Sequence, residues 1–177
     1  MFVTRRRVVT AHKDKRAIVA SDVQLPMDPV PGMKGWRICD VWAAADMQLP
    51  DAGERQDVPW YFPPVGGFRC IQVVIDAHTV AGHDTVEAEL DDGKPSALSH
   101  MTDNDKPGMH RSASVDVGFI VEGSVVCELD DGETMTLHAG DTFIQGGTIH
   151  AWSNPFDKPC YMVAVSIGAN HALVDGH

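Results

Sequence analysis

The sequence predicts an all-β protein whose strands form a sandwich or a barrel. From about Asp116 onward, short runs of β-branched and other apolar residues alternate with turn residues at the regular spacing typical of such folds. This pattern predicts no helix longer than a turn or two in the C-terminal half. The strands that it predicts cover residues 116–122, 124–129, 133–138, 141–145, 149–153 and 159–167.

Two turns are predicted between the first of these strands. The segment Asp130-Asp131-Gly132 contains an Asp-Gly pair, which tolerates the positive φ angles of a tight hairpin. It is therefore predicted to join residues 125–129 to residues 133–137. Gly123 is predicted to turn the chain between the two strands that flank it.

The N-terminal 80 residues are less regular but also contain plausible strands, which are expected to add to the barrel. The predicted strands are residues 7–10, 17–21, 36–42 and 68–75, and the last carries a dense β-branched run. Residues 25–35 and 49–67 are rich in Pro and Gly, which interrupt helices and sheets, so irregular loops are expected there. Residues 81–108 contain few large apolar side chains and are expected to form a flexible loop.

Length and charge narrow the class of protein. A chain of 177 residues with 44% hydrophobic content fits a single domain, residues 1–177. Within it, residues 1–80 supply N-terminal strands and loops, residues 109–168 the core, and residues 169–177 a tail. The net charge of −11 repels phosphate backbones and anionic lipid, so no nucleic acid and no membrane partner is expected. An apolar run of roughly 18 residues and a secretory leader are both absent, which predicts a cytoplasmic protein.

The four cysteines lie far apart, each in an apolar, strand-like stretch. Cys39, Cys70, Cys127 and Cys160 are therefore predicted to be buried thiols, and not disulfides or a zinc site.

Strand parity places candidate site residues together. Side chains two, four or six positions apart point to one face of a strand, so His110, Ser112 and Asp116 are predicted to share a face. His150 shares a face with Trp152 on a different strand. The opposite face of the first segment carries an apolar row, which must pack under the N-terminal strands or against a second subunit. A homodimer is therefore expected. The row consists of Val115, Val117, Phe119 and Val121.

The segment from residue 110 to residue 154 resembles the two sequence motifs of the cupin superfamily. His110, Ser112, Asp116 and Gly123 match the first motif, with Ser112 where a second histidine normally stands and Asp116 in place of the usual glutamate. The resemblance implies a small RmlC-like cupin, which is a double-stranded β-helix or jelly-roll barrel, here with additional N-terminal strands.

The second motif is matched by Gly140-Asp141, His150 and Asn154, while Gln145 replaces its proline. The resemblance implies a pocket in which His110, Asp116 and His150 hold a divalent metal. Iron, manganese, nickel and zinc all accept two imidazoles and one carboxylate, so the identity of the ion stays open.

Several functions are compatible with such a pocket. The first is a metal-dependent enzyme that acts on an organic acid or ring compound as a decarboxylase, isomerase, cyclase or dioxygenase. A metal-free version would use His110 or His150 as general base, with Asp116 orienting its other ring nitrogen. The alternative is a non-catalytic, small-molecule-binding or sensory cupin with a degenerate, metal-free site. A purely structural role is the third option.

The remaining histidines are expected at the surface or in loops. Among the residues of the expected flexible loop, His83, Glu87 and His100 could reach the mouth of the barrel.

Overall fold

The computed structural model of the protein describes residues 5–30, 32–49, 53–58, 63–81 and 108–173. In this part of the chain the regular structure is almost entirely strand, with one 3-10 turn at Asp130–Gly132. The strands are β1 (Arg5–Lys13), β2 (Arg16–Leu25), β3 (Asp28–Pro29), β4 (Trp36–Ala44), β5 (Phe68–Ile75), β6 (Ser114–Glu122), β7 (Ser124–Glu128), β8 (Thr134–His138), β9 (Thr142–Gln145), β10 (Ala151–Ser153) and β11 (Cys160–Gly168).

The strands form two facing sheets and a separate hairpin. The larger sheet has the order β3-β4-β5-β11-β6-β9, the smaller one has the order β10-β7-β8, and β1 pairs with β2. All pairs are antiparallel. One apolar core joins the two sheets, since it contains Ile75 and Ile120 from the larger sheet and Val125 and Trp152 from the smaller. The predicted all-β jelly-roll barrel is confirmed.

The C-terminal strands lie within two residues of their predicted bounds. The Asp-Gly hairpin joins β7 to β8 as expected, with positive φ angles of 59° at Asp131 and 75° at Gly132. The strand predicted at residues 149–153 begins at Ala151. It begins late because His150 makes only an isolated bridge to His110, outside the ladder of β10 with β7.

The N-terminal half departs further from the predictions. β4 and β5 join the larger sheet, but β1 and β2 pair only with each other and do not extend the barrel. Their turn uses positive φ angles at Asp14 and Lys15, where the sequence has no glycine to announce it. Residues 25–35, expected to be irregular, contain the short edge strand β3, whose Pro29 is tolerated at an edge. Most of the expected flexible loop, residues 82–107, lies outside the described residues.

Inward-facing side chains of the larger sheet form rows across neighbouring strands. One row is aliphatic and pairs Val73 with Met162 and Met162 with Ile120. Four residues along each strand lies a polar row, which we call the polar belt: Arg69 on β5, Ser166 on β11, Asp116 on β6 and Gln145 on β9, each directly opposite the next. The barrel therefore has two halves. The apolar half, at the level of the aliphatic row, we call the closed half, and the polar half lies at the level of the polar belt.

Gly118 and Phe143 mark the boundary between the halves. Gly118 pairs directly with Phe143, and a Cβ added to this glycine would lie 2.0 Å from Phe143 Cζ. The missing side chain at position 118 thus gives the phenyl ring its place. The ring in turn packs on Trp152, with centroids 5.0 Å apart, and so separates the polar belt from the core.

The β1–β2 hairpin covers the outer face of the larger sheet near β4 and β11 but not at β6. Where the β1–β2 hairpin packs, the Arg5 guanidinium lies 4.4 Å from the centre of the Tyr161 ring, and Arg7 donates to the Val41 carbonyl at 3.1 Å. The apolar row on β6 stays exposed, with exposed fractions of 38% at Val115, 49% at Phe119 and 50% at Val121. The N-terminal strands therefore do not cover it.

All four cysteines are free thiols, as predicted. Cys39, Cys127 and Cys160 are buried, whereas Cys70 is only half-buried because its side chain lies on the outer face of β5. Among the residues that the structure describes, none belongs to a helix of the length and apolar character needed to cross a membrane.

Candidate functional site

Two histidines contact each other in the polar half of the barrel. The backbones of His110 and His150 exchange two hydrogen bonds, of 2.9 and 2.8 Å, so their side chains leave the paired segments on the same side. The ring centroids lie 4.4 Å apart with the planes tilted by 53°. His150 is buried, and the centre of its ring lies 5.9 Å from that of Trp152 in an edge-to-face arrangement. The structure thus joins the histidines of the two motifs in one site.

Backbone carbonyls fix the tautomer of both imidazoles. His110 Nδ1 lies 3.1 Å from the Gly108 carbonyl oxygen, and His150 Nδ1 lies 2.8 Å from that of Thr148. Because a carbonyl oxygen only accepts, each Nδ1 must carry the proton and each Nε2 presents a lone pair. The orienting groups are therefore carbonyls two residues before each histidine, and not Asp116 as the metal-free hypothesis had it.

Burial keeps both imidazoles neutral. Loss of hydration, followed by the charge of His110, lowers the pKa of His150 to about 3. Burial also lowers the pKa of His110, although its bond to Gly108 and the charge of Asp116 favour the protonated ring. Of the two rings, only His110 has a carboxylate among the groups that support its cation. The site therefore offers two neutral nitrogen bases at pH 7.

Asp116 is held by serines. Ser114 Oγ donates to Asp116 Oδ1 at 2.7 Å and also contacts Ser112 Oγ at 3.0 Å, and Ser166 bonds to the same carboxyl group. Burial raises the pKa of Asp116, while the bonds from Ser114 and Ser166 and the charge of His110 oppose that rise. Ser112, Ser114 and Asp116 thus form a polar line along one face, in agreement with their predicted parity.

The described residues fit a metal ion only in part. The two Nε2 lone pairs have the character that a divalent metal requires, because each imidazole is neutral and braced through Nδ1. However, no group of three His, Cys, Asp or Glu side chains in the described ranges is close enough to share an ion. Asp116 does not complete a ligand set with the histidines, so the described residues do not form a full metal site. His83, Glu87 and His100 lie outside the described residues.

The segment that carries His150 is braced by two side chains that the sequence analysis did not assign to the site. Buried Gln145 donates from Nε2 to Thr148 Oγ1 at 2.7 Å. His171 Nε2 donates to the Gly147 carbonyl at 2.9 Å, while its Nδ1 accepts from the Leu173 amide. His171 does lie in a loop as expected, but its ring holds the turn before His150. No local pattern announces this contact, because 24 residues separate the partners.

Asn154 has a structural part away from the histidines. It is fully buried, and its amide donates to the carbonyls of Ile75 at 3.0 Å and Lys158 at 2.9 Å. Its Oδ1 accepts from the Phe156 amide at 3.0 Å. The second-motif asparagine therefore closes the turn after β10 and satisfies buried backbone groups.

A surface depression of about 450 Å³ lies at the turn between β3 and β4. It is lined by Trp36, Asp76 and neighbouring residues, and neither His110 nor His150 is part of its wall. The candidate site is therefore defined by its side chains and not by this depression.

Comparisons with known proteins agree with this fold. Residues 97–166 match the family model of the cupin domain. The match spans both motifs and the histidine pair, so this segment of the chain is similar to a cupin domain.

Curated relatives share the same kind of segment. The chain is 33% identical over 75 residues to oryzines biosynthesis cluster protein J of Aspergillus oryzae, which covers 40% of each chain. It is 35% identical over 72 residues to the cupin-domain-containing oxidoreductase srdB of Neurospora crassa, covering 40% of this chain and 37% of the relative. The matches thus span well under half of these relatives. They support a small-molecule cupin.

Among solved structures, the polyketide cyclase RemF from Streptomyces resistomycificus resembles the chain with a TM-score of 0.48 and 15% identity. The resemblance covers 80% of this chain and 72% of that one.

Proposed function

We propose that the chain is an enzyme that acts on a small organic acid or ring compound, with His110 as its general base. The observation that carries the proposal is the contact of two neutral imidazoles whose Nε2 lone pairs are left available by the carbonyls on Nδ1. Relatives described as biosynthesis cluster proteins or oxidoreductases support small-molecule chemistry. A histidine with a purely structural role would need its carbonyl partner but no second imidazole beside it.

The environment divides the roles of the two rings. His110 Nε2 takes a proton from a carbon or hydroxyl of the substrate, because Asp116 and the Gly108 carbonyl support the imidazolium that forms. His150 stays neutral, since burial and the new charge on His110 both oppose its protonation. Its Nε2 accepts a hydrogen bond from the substrate and orients it. Isomerisation and cyclisation contain a proton abstraction of this kind, whereas decarboxylation needs the reverse step, in which a protonated ring returns a proton to the carbon that has lost CO₂.

A metal-dependent reaction is the second candidate. It is favoured by the two braced Nε2 atoms, which are suited to ligate iron, manganese, nickel or zinc. The described residues bring together only His110 and His150 of the three predicted ligands, so the ligand set of such an ion and the dioxygenase type of chemistry stay predictions. The non-catalytic binding or sensory cupin is the remaining alternative.

Hydrogen–deuterium exchange tests the proposal before the substrate is known. A panel of small keto acids and phenolic acids is incubated with the protein in D₂O, and loss of substrate C–H signal is followed by NMR. We expect exchange or turnover of at least one compound, and a loss of about 100-fold or more in His110→Gln, the range of a removed general base. His138→Gln is the matched control, because His138 is an exposed histidine whose Nδ1 bonds to Ser124 Oγ at 2.9 Å.

Elemental analysis of the purified protein distinguishes the candidates. One equivalent of iron, manganese, nickel or zinc that disappears in both His110→Gln and His150→Gln would establish the metal-dependent version and overturn a metal-free base. Compounds that bind without exchange or turnover, in metal-loaded and metal-free protein alike, would instead establish the non-catalytic alternative.

We further propose that the exposed apolar face of β6 is the contact with a second copy of the chain. The row on β6 continues onto Ile144 and Ile167, which lie directly opposite Val117 and Val115 and are 65% and 40% exposed. Exposed apolar patches larger than a few hundred Å² mark interaction sites, and a stable dimer needs about 800 Å² from each partner. An apolar row on a regular strand is complementary to its own two-fold copy.

Sedimentation of Phe119→Lys measures the effect on assembly. We expect a dimer for the native chain and a monomer for the variant, whereas Val8→Lys on the exposed hairpin face leaves the dimer unchanged. A native chain that sediments as a monomer would refute the proposed contact. The cytoplasmic location stays a prediction.

A further inference from the structure

His171 lies in the segment that follows β11, and both of its ring nitrogens form hydrogen bonds to backbone groups. Its Nε2 donates to the Gly147 carbonyl at 2.9 Å, and its Nδ1 accepts from the Leu173 amide at 3.0 Å. Because a carbonyl only accepts and an amide only donates, the ring is neutral and carries its proton on Nε2. Two backbone partners of opposite kind therefore fix both the tautomer and the orientation of this imidazole.

Gly147 gives the His171 ring its place against the turn. This glycine is buried and has a positive φ of 67°, and a Cβ added to it would lie 2.7 Å from His171 Cδ2. The same Cβ would lie 3.0 Å from the Ser112 carbonyl oxygen. Only glycine adopts this conformation readily and leaves room for both neighbours. The turn before His150 is therefore enclosed between the His171 ring and the loop that follows His110.

The C-terminal segment, residues 169–173, is also tied to the loop of the first histidine. The Ala169 amide donates to the Ala113 carbonyl at 3.0 Å, and so holds this loop three residues after His110. Two residues further along the segment, the His171 ring holds the turn before the second histidine. One short segment therefore fastens both loops that carry the histidine pair.

The histidine pair depends on its flanking loops because it belongs to no strand ladder. His110 and His150 form an isolated bridge, so no neighbouring backbone pair of a ladder fixes their spacing. The residues that precede them, Met109 and Ile149, pack together in a small apolar cluster with Ala151. The positions of the two rings therefore rest on this cluster and on the loops that the C-terminal segment holds.

The contact of His171 reaches the His150 ring through the backbone of one residue. The Gly147 carbonyl that accepts from His171 belongs to the peptide bond that leads into Thr148. The Thr148 carbonyl in turn lies 2.8 Å from His150 Nδ1 and keeps the proton of the ring on that nitrogen. A turn released from His171 is free to rotate both carbonyls, and the Nε2 lone pair of His150 then loses its support.

We propose that His171 is a positioning residue for the histidine pair: through Gly147 it holds the Thr148 carbonyl where that carbonyl orients His150. The inference rests on the proposed function, since it concerns the geometry of the same two bases. A misplacement of about 1 Å can cost roughly 100-fold in rate, so a contact outside the site can decide its activity.

Nitrogen NMR of the histidine rings in the full chain at pH 7 tests the inference without a substrate. We expect His150 of the native chain to carry its proton on Nδ1, and His171→Ala to show a mixture of both tautomers. His171→Gln keeps a donor near the position of Nε2 and should restore the native signals. His171→Asn is too short to reach Gly147 and should resemble His171→Ala. His138→Ala is the matched control, because this exposed histidine bonds only within its hairpin, to Ser124.

A purely structural role of His171 gives a different result. His171→Ala would then lower the unfolding midpoint while the His150 ring signals of the folded protein stay native, and this outcome overturns the proposal. If His171→Ala does not fold, the comparison of His171→Gln with His171→Asn decides. Equal His150 signals in these two variants likewise refute the positioning role.

The exchange assay in D₂O then separates this inference from the proposed function. For a compound that the native chain exchanges, His171→Ala should lower the rate at saturation by about 10- to 100-fold, with a smaller change in KM, and His171→Gln should recover most of it. Exchange that needs His110 but is unchanged in His171→Ala would keep the enzyme and refute the positioning role. Ring signals of His150 that depend on His171 without exchange of any compound would keep the positioning role and refute the enzyme.

Discussion

The two halves of the barrel are built from the same strands but contain opposite chemistry. Along β6, the inward side chains change from Ile120 through Gly118 to Asp116 within five residues. The parallel change on β11 runs from Met162 through Ala164 to Ser166. Because every second residue enters the barrel, a shift of four positions is enough to pass from core to site. One end of each strand stabilises the fold and leaves the other end available for polar groups.

Burial shifts pKa values toward the neutral form in both halves of the barrel. In the polar half, burial shifts the pKa values of His110, His150 and Asp116 toward their neutral forms. In the closed half, burial raises the pKa values of the thiols of Cys127 and Cys160. The ionisable groups of the polar half therefore carry a desolvation cost, and apolar burial in the closed half offsets it.

Among the single substitutions, Ile120→Ala should give the largest loss of stability. This side chain is almost completely buried in the closed half and contacts both sheets of the core. Its truncation should cost about 3–4 kcal/mol in the free energy of unfolding, measured by urea denaturation. Val19→Ala is the control at an exposed position of the β1–β2 hairpin and should cost less than about 1 kcal/mol. Equal losses would show that Ile120 does not lie in a tightly packed core.

Alkaline pH should also lower the free energy of unfolding, through the thiols buried in the closed half. Burial raises the pKa values of Cys127 and Cys160 from 9.0 to about 11. A raised folded pKa means that the contribution is complete below pH 9 and is lost as the pH rises to about 11, because the unfolded state ionises first. Each thiol should account for about 2–3 kcal/mol of that loss.

Urea unfolding at pH 8 and pH 11 measures this loss in the native chain and in Cys160→Ala. The variant should lose less stability between the two pH values, since one buried thiol is removed. Tyr161, whose pKa is also raised by burial, contributes in the same direction in both proteins and cancels. A pH dependence that the substitution leaves unchanged would contradict the assignment to the thiols.

Gly118→Ala should disturb the boundary between the halves. The added Cβ would lie 2.0 Å from Phe143 Cζ, so the ring must move against Trp152. Overpacking of this kind costs about 1–3 kcal/mol, and the double variant Gly118→Ala/Phe143→Leu should recover part of it. Gly146→Ala is the control, because nothing lies within 4 Å of its added Cβ. An equal effect of the two single substitutions on the unfolding midpoint would refute the role of the phenyl ring.

Much of the fold could be predicted because its signals are local. Alternation and the Asp-Gly turn place β6 to β11 almost correctly, since each depends on a few consecutive residues. The β1–β2 turn was not readable, because Asp14 and Lys15 adopt positive φ without a glycine. Nor could the sequence show that this hairpin packs on the sheet without joining it, which depends on contacts such as that of Arg5 with Tyr161.

The site was predictable in composition but not in its contacts. Parity and the two motifs single out His110, Asp116 and His150, but the partners of these groups come from distant strands or from backbone. Ser166 reaches Asp116 only through the register of β11 with β6. One buried residue that the sequence analysis did not single out did have a signal, since Arg69 shares its parity with Ile71, Val73 and Ile75 on an otherwise apolar face of β5.

Asp116→Asn should have the smallest effect and sharpens the comparison through its sign. The folded pKa of Asp116 is raised by burial, so its contribution to stability is complete at low pH and is lost as the pH rises through that pKa. The amide stays neutral and still accepts from Ser114, so the change at pH 7 should be less than about 2 kcal/mol. Asp22, whose pKa is lowered by its bond to Arg6 on the exposed hairpin, should contribute with the opposite pH slope. Unfolding midpoints of Asp116→Asn and Asp22→Asn between pH 3 and pH 7 would therefore diverge in opposite directions from the native chain, and slopes of the same sign would show that the carboxyl group of Asp116 is hydrated like a surface group.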